Sequence, residues 1–387
     1  QPACSSGRFA SLRATGVRVG ISTCTAPFKR AGKNVYHRLL SFSEPGRSVR
    51  TVAKEFAMPK PRPPMPIPFG WFVVSYSDEL AVGQSRAVNY FGREMVLFRT
   101  ESGRAVLLDA YCPHLGAHLG YGINESSGQG GRIEGESIVC PFHAWKFDAA
   151  GYCTDVPYAK NMPPKVVGKQ CLESYPVVED NQVIYAWYHP EGVAPLWEVE
   201  SFEEANSAEW APLQRFEWVI KTACQEMAEN GADSAHFRYV HQTATFPETE
   251  LTYDQHYSLG VQRADMKTPR GMVKGSITSK NIGPGQGFTR FEGIASTFLM
   301  GNVTPIDDET VHVRFAFTQP LVDGEVKAGG VNAAIIRDIC KQLDEDKPIW
   351  ENKMFRPQPV LCDGDGPIAR FRKWYGQFYA EPFTTAA

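Results

Sequence analysis

Two short segments carry the residue types that bind an iron–sulfur cluster. Cys112 and His114 stand two positions apart, and Cys140 and His143 follow in a second segment that reads Cys-Pro-Phe-His. Two thiolates and two imidazoles suit a [2Fe–2S] cluster in which cysteines hold one iron and histidines hold the other. A Cys₂His₂ zinc site is the alternative, but zinc modules usually pair Cys with Cys and His with His. The mixed pairs therefore favour the cluster.

A second group of candidate ligands lies in the run from Asn230 to His241. His236 and His241 can bind one metal if the backbone between them departs from an ideal helix. Asp233 precedes His236 by roughly one helical turn and so shares its face. Two histidines and one carboxylate form the facial triad of non-haem Fe(II) oxygen enzymes, which leaves positions open for O₂. A helix with two ordinary histidines is the alternative, and the cluster motif upstream disfavours it.

The two motifs, in this order, resemble those of the Rieske non-haem iron oxygenases. The resemblance covers roughly Phe69 to Phe383 and fits the oxygenase component of that family. Near the C-terminus, the run from Cys362 to Pro367, followed by Arg-Lys-Trp-Tyr at 372–375, is similar to the 3-ketosteroid 9α-hydroxylase branch. That branch includes the related cholesterol 7-desaturases of the Neverland type.

The resemblance implies two cofactors, a Rieske [2Fe–2S] cluster on the two cysteines and two histidines of the first motif and a mononuclear Fe(II). His236 and His241 would bind the iron together with a carboxylate near the C-terminus. Asp365 is expected to be that ligand, because the steroid branch places its carboxylate just before Gly-Pro. Asp363 is the alternative.

The resemblance also gives Asp233 a role other than metal ligation. It would bridge a cluster histidine of one subunit to an iron histidine of the next, within a head-to-tail homotrimer. A ring of heterologous contacts is sterically reasonable. Asn230, in the same segment, is assigned to the catalytic site with Asp233.

The implied activity is that of a terminal oxygenase. It would use O₂ to hydroxylate or desaturate a large hydrophobic, steroid-like substrate. Electrons would come from a separate NAD(P)H-dependent reductase or a ferredoxin, since the chain has no Gly-rich dinucleotide fingerprint that opens a βαβ unit. A non-catalytic Rieske electron carrier is the alternative from another class, and an aromatic-ring oxygenase or a demethylase is the alternative within this one. The following large apolar residues are candidates to line its pocket: Phe237, Tyr239, Phe246, Phe288, Phe291, Phe298 and Leu299.

Composition excludes several other classes of protein. The net charge of −3 gives no reason to expect a nucleic-acid partner. No run of eighteen apolar residues exists, so no transmembrane helix is expected. Nine cysteines, an odd number of which two are assigned to the cluster, argue against a disulfide scaffold and favour a reducing compartment, the cytoplasm.

The predicted fold class is α+β, in three segments. Residues 1–57 contain ten Lys and Arg but only two acidic residues, which is typical of a disordered, targeting or wrongly assigned leader. Residues 58–195 carry short β-branched and aromatic runs between turns and are predicted to form an all-β Rieske domain. Residues 196–387 would form the catalytic domain, and the polar stretch at 190–208 is predicted to be the linker to it. The resemblance implies a helix-grip fold there, an antiparallel sheet covering a helix, and a strand at 311–317 and a helical stripe at 335–343 agree with it.

Overall fold

The computed structural model describes residues 65–123, 130–242, 248–268, 271–293, 295–326 and 329–381. The leader predicted at residues 1–57 lies outside these ranges. Within the described part of the chain, no helix is long and apolar enough to cross a membrane.

The first half of the described chain consists of eleven strands and almost no helix. In chain order they are β1 (Gly70–Tyr76), β2 (Ser85–Tyr90), β3 (Arg93–Arg99), β4 (Ala105–Asp109), β5 (Arg132–Glu134), β6 (Ser137–Val139), β7 (Lys146–Phe147), β8 (Cys153–Asp155), β9 (Ser174–Tyr175), β10 (Val177–Asp180) and β11 (Val183–Tyr188). They form three antiparallel sheets with the orders β1-β11-β10, β2-β3-β4-β9 and β5-β6-β7-β8. The strands predicted from apolar runs correspond to β1, β3, β4 and β11, and the all-β prediction is confirmed.

The second half is built around one seven-stranded antiparallel sheet. Its strands are β12 (Gln214–Ile220), β13 (Glu248–Asp254), β14 (Tyr257–Thr268), β15 (Gly271–Ile282), β16 (Gln286–Glu292), β17 (Thr297–Pro305) and β18 (Val311–Thr318), in the order β12-β18-β17-β16-β15-β14-β13. The helices are α1 (Glu203–Asn206), α2 (Cys224–Ala228), α3 (Ser234–Tyr239), α4 (Gly330–Trp350) and α5 (Ile368–Tyr375). The α+β prediction is therefore confirmed.

Helix α4 is long because its apolar residues recur at helical spacing. Ile336, Leu343 and Trp350 are seven residues apart, so they fall on one face of the helix, and all three are buried. The helical stripe predicted at 335–343 is the first half of this face. Gln342, Leu343 and Trp350 place the helix along a pocket that the large sheet also lines.

Strands β1 and β11 belong to two cores at once. Trp71 and Val73 of β1 lie in the core formed with the large sheet and α5, whereas Phe72 and Val74 lie in the core formed with β3 and β4. Because side chains alternate between the faces of a strand, one small sheet can separate the two halves of the molecule.

One sequence expectation needs correction here. The alternation at 311–317 is typical of a half-buried strand, but the second face of β18 is covered as well. Arg314 on that face is 3% exposed and donates to the Val73 carbonyl at 2.9 Å, because the face packs under β1. The segment predicted as the linker, 190–208, includes a short helix, α1. Phe202 and Ala205 in this segment are buried in the catalytic core.

Candidate metal centres

The cluster motif forms two matching turns. In the first, the Gly116 amide donates to the Cys112 carbonyl at 2.9 Å, and in the second, the Ala144 amide donates to the Cys140 carbonyl at 3.0 Å. Gly116 and Ala144 both have positive φ, 75° and 58°, so the two turns share one backbone path. This φ is unusual for alanine, and the surrounding turn must enforce it.

The donor atoms of this site fit a two-iron cluster. Cys112 and Cys140 are each 2% exposed, and their thiols hydrogen-bond to each other, which lowers the pKa of Cys140 to about 6 and raises that of Cys112. The His114 and His143 rings lie beside them with centroids 4.8 Å apart, and both are half-buried. The His114 ring stacks on Trp145 at 4.7 Å.

The spacing of these donors argues against zinc. The ligands of one tetrahedral zinc lie ~4 Å or less from each other, given metal–ligand distances of about 2.0–2.3 Å. Among the described residues, only one group of three or more His, Cys, Asp or Glu brings its donor atoms within 4.8 Å of one another, and it is not this one. The four cluster residues therefore do not converge as the ligands of a single ion would, whereas a cluster with two irons places cysteines and histidines on different atoms.

That one convergent group consists of His236, His241 and Asp346. The two histidine rings have centroids 5.2 Å apart and are nearly perpendicular, and His241 Nε2 lies 3.4 Å from Asp346 Oδ2. Helix α3 ends at Tyr239, so the backbone does leave the helix between the two histidines. Two imidazoles and one carboxylate fit a non-haem Fe(II) site.

Each member of the triad is oriented by a neighbour. The His236 ring donates from Nδ1 to the Asp233 carbonyl, and His241 Nδ1 lies 3.1 Å from Glu345 Oε2. Both contacts leave Nε2 for a metal. Asn230 Nδ2 donates to Asp346 Oδ2 at 2.9 Å.

Burial sets the protonation of these groups. It lowers the pKa of His236, which favours the neutral imidazole that a metal needs. Burial also raises the pKa of Asp346, while the two neighbouring histidines lower it. A divalent cation would favour the ionised carboxylate further.

The structure does not bring Asp365, the predicted third ligand, to the two histidines. Asp365 Oδ2 accepts from the Cys362 amide at 2.7 Å, because the loop after α4 turns back on itself. Neither Asp365 nor its alternative, Asp363, joins the histidines, and Asp346 on α4 takes that place.

Sequence reasoning missed Asp346, although a signal was present. It continues the buried face of α4 at helical spacing between Leu343 and Trp350 and is 8% exposed. A carboxylate within an apolar helix face needs a partner, and ligation is one way to supply it.

Asp233 and Asn230 lie next to the triad without joining it. Asp233 caps α3, with Oδ1 accepting from the amides of Ala235 at 3.0 Å and His236 at 3.2 Å. Its predicted bridging role stays a prediction, since it concerns a second subunit. Asn230 contacts the triad through its hydrogen bond to Asp346.

The triad opens onto a cavity of about 300 Å³ between the large sheet and helices α2 to α4. This volume is at the lower end of the range for small-molecule sites. Apolar side chains that line it include Leu251, Ile277, Phe291, Leu299, Phe315 and Trp350.

Only some of the large apolar residues predicted to line the pocket do so. Phe237, Phe291 and Leu299 line the cavity, as predicted. Phe298 is fully buried in the core, Phe288 lines a separate cavity, and Tyr239 is 76% exposed. Phe246 lies outside the described residues.

Comparison with known proteins agrees with this geometry. Residues 70–176 match the Rieske [2Fe–2S] domain, and residues 186–379 match the 3-ketosteroid 9α-hydroxylase C-terminal domain. Cholesterol 7-desaturase nvd 1 of Ciona intestinalis is 31% identical over 82% of this chain and 70% of its own length. The 3-ketosteroid-9α-monooxygenase oxygenase component of Rhodococcus rhodochrous is 28% identical over 81% of each.

Comparison with solved structures supports the same fold. Dicamba monooxygenase superposes with a TM-score of 0.64 at 16% identity, over 80% of this chain and 96% of its own. Together with the sequence matches, these findings show that the chain belongs to the Rieske oxygenases with a 3-ketosteroid 9α-hydroxylase-type catalytic domain.

Proposed function

We propose that this protein is a terminal oxygenase that hydroxylates or desaturates a steroid-like substrate. The observation that carries the proposal is that His236, His241 and Asp346 converge at the wall of a largely apolar cavity. The sequence relatives named for action on cholesterol and 3-ketosteroids support the substrate class.

Under this proposal, His236, His241 and Asp346 hold a mononuclear Fe(II), and Cys112, Cys140 and the two motif histidines hold the Rieske cluster. When bound, the iron supplies O₂ activation and the cluster supplies electrons.

The protein's own residues position these groups and the substrate. The Asp233 carbonyl and Glu345 hold the proton on Nδ1 of the two iron-site histidines, and Asn230 fixes the orientation of Asp346. The apolar wall excludes water and places a C–H bond of the substrate beside the triad.

Electron transfer from the cluster to the iron is proposed to cross a subunit boundary. His114 and His143 are half-buried, and the neighbouring Leu115 and Phe142 are 66% and 60% exposed. An apolar rim around the cluster site suits contact with another protein surface. We propose that a second copy of this chain docks there in a head-to-tail trimer, with Asp233 at the junction, and that a separate reductase or ferredoxin supplies the electrons.

Metal analysis and product analysis test the proposal together. The purified protein should contain about three iron atoms per chain, two in the cluster and one in the triad, whereas an electron carrier would contain about two. With a surrogate reductase, O₂ and a panel of sterols and 3-ketosteroids, chromatography with mass spectrometry should detect a product that has gained one oxygen or lost two hydrogens.

The matched control is His241→Ala, which should keep the cluster absorbance and lose both the third iron and the product. Two irons per chain, or turnover that survives in His241→Ala, would contradict the proposed site. Three irons without turnover of any steroid would contradict the substrate class alone.

A further inference from the structure

The cavity beside the triad is not uniformly apolar. Its sheet wall carries four small polar side chains, Ser258, Ser279, Asn281 and Thr289, which we call the polar patch. They lie on β14, β15 and β16, three neighbouring strands of the large sheet. Leu251, Phe291 and Leu299 continue the same wall as apolar surface.

Strand register brings the patch together. Ser279 is directly opposite Thr289, and Ser258 is directly opposite Asn281. Ser279 and Asn281 are two residues apart on β15, so they project from the same face of the sheet. The two hydroxyls of Ser279 and Thr289 are 3.2 Å apart, and Asn281 Nδ2 donates to Ser258 Oγ at 3.3 Å.

These contacts leave hydrogen-bonding capacity unused. Each hydroxyl offers one hydrogen and two lone pairs, and the Ser279–Thr289 contact uses one hydrogen and one lone pair. Within the described part of the chain, neither hydroxyl has another hydrogen-bond partner. An apolar ligand that covered the patch would leave these groups unpaired, which costs binding free energy.

The patch is open to the cavity, since all four of its residues line it. Ser279, Asn281 and Thr289 are only partly buried.

We infer that the polar patch binds an oxygen substituent of the substrate, a carbonyl or a hydroxyl group. The hydroxyls of Ser279 and Thr289 can donate to a carbonyl and accept from a hydroxyl, so both groups suit the patch. The hydrocarbon rings would pack on Ile277, Phe291 and Leu299. This inference rests on the proposed function and narrows its substrate class to steroids with an oxygen at the end that meets the sheet.

Binding of three matched steroids to the iron-loaded protein tests it: 5α-androstan-3-one, 5α-androstan-17-one and the hydrocarbon 5α-androstane. Trp350 lines the cavity and is 5% exposed, so tryptophan fluorescence can report occupancy. At least one ketone should bind about tenfold more tightly than the hydrocarbon, as one added hydrogen bond implies. The ketone that does so identifies which end meets the sheet.

The double variant Ser279→Ala/Thr289→Val removes both hydroxyls with little change in volume. It should lose the preference for the ketone and bind the hydrocarbon at least as well as the unaltered protein does. Thr278→Val is the control, because Thr278 lies on the same strand but lines a separate cavity on the opposite face. It should leave all three affinities unchanged.

The outcomes separate the two proposals. A ketone preference that persists in the double variant would overturn the assignment of the oxygen to the Ser279 and Thr289 hydroxyls. A preference that is absent from the unaltered protein would overturn the role of the whole patch. Both results would leave the oxygenase proposal intact. If none of the three steroids bound the unaltered protein, the proposed substrate class would fail and this inference with it.

Discussion

Replacing Glu345 with Gln tests whether the Fe(II) affinity of the triad depends on the charge of a neighbouring residue that is not a ligand. Glu345 Oε2 lies 3.1 Å from His241 Nδ1, and Glu345 Oε1 lies 3.0 Å from the ammonium of Lys341. The carboxylate fixes which ring nitrogen carries the proton and makes Nε2 a better donor to a metal. Glu345→Gln keeps an acceptor of the same shape and removes the charge.

The expected effect is a loss of Fe(II) affinity without a loss of fold. Partners of metal-bound histidines typically change metal affinity by about 10- to 100-fold when they are altered. The Glu345 side chain is 29% exposed and Gln can still accept a hydrogen bond, so the lower end, about tenfold, is expected. Competition with a ferrous chelator measures the affinity, and the cluster absorbance monitors the fold.

Lys341→Met is the matched control, because it removes the other partner of Glu345 and leaves the contact with His241. Lys341 is 68% exposed, and a pair of this kind contributes little in water, so Fe(II) affinity should stay within about twofold. Equal losses in both variants, or no loss in Glu345→Gln, would refute the argument that the charge acts through His241.

Three further predictions follow from the geometry. Asp346→Asn should lose the mononuclear iron and keep the cluster absorbance, whereas Asp365→Asn should keep both; the reverse result in metal analysis would restore the original ligand prediction. Asp233→Asn should leave the melting temperature unchanged, because Asn caps a helix about as well as Asp. Under the trimer proposal, it should slow cluster reoxidation in single-turnover kinetics by about tenfold or more, since a charged hydrogen-bond partner of two metal ligands is lost; a wild-type rate would place the bridge elsewhere. Gly285→Ala would put a Cβ 2.3 Å from a carbonyl oxygen of β1 and should lower the free energy of unfolding by about 1–3 kcal/mol or more, as denaturant titration would measure. Gly376→Ala should leave that free energy unchanged, because nothing lies within 4 Å of the added Cβ.

The cluster residues could be predicted from sequence because their spacing is local. Cys112 with His114 and Cys140 with His143 each lie within a single turn, so each pair is visible in the sequence, and the ligand pattern of a Rieske cluster indicates that the two turns meet. His236 and His241 are found for the same reason. Asp346 lies more than a hundred positions further on, and only the packing of α4 against the segment that carries Asn230 brings it to the histidines.

The sequence also could not predict what each face of the large sheet packs against. The alternation in β18 correctly predicts a strand, but it cannot tell that Arg314 lies under β1, since that contact joins positions 241 residues apart. The polar patch is hidden for a similar reason. Ser279 and Thr289 are unremarkable in their own strands and become neighbours only through the register of β15 and β16.

The strand pair β1 and β11 limits how this protein can be divided or recombined. Trp71 and Val73 complete the catalytic core, whereas Phe72 and Val74 of the same strand complete the Rieske core. A catalytic fragment that starts after position 195 would lack one wall of its own interior, and we expect it to aggregate. Rieske segments exchanged between relatives at that boundary would have to match the host on both faces of β1 and β11. In this chain the electron-transfer half and the oxygenation half are therefore constrained to diverge together, although each has a core and chemistry of its own.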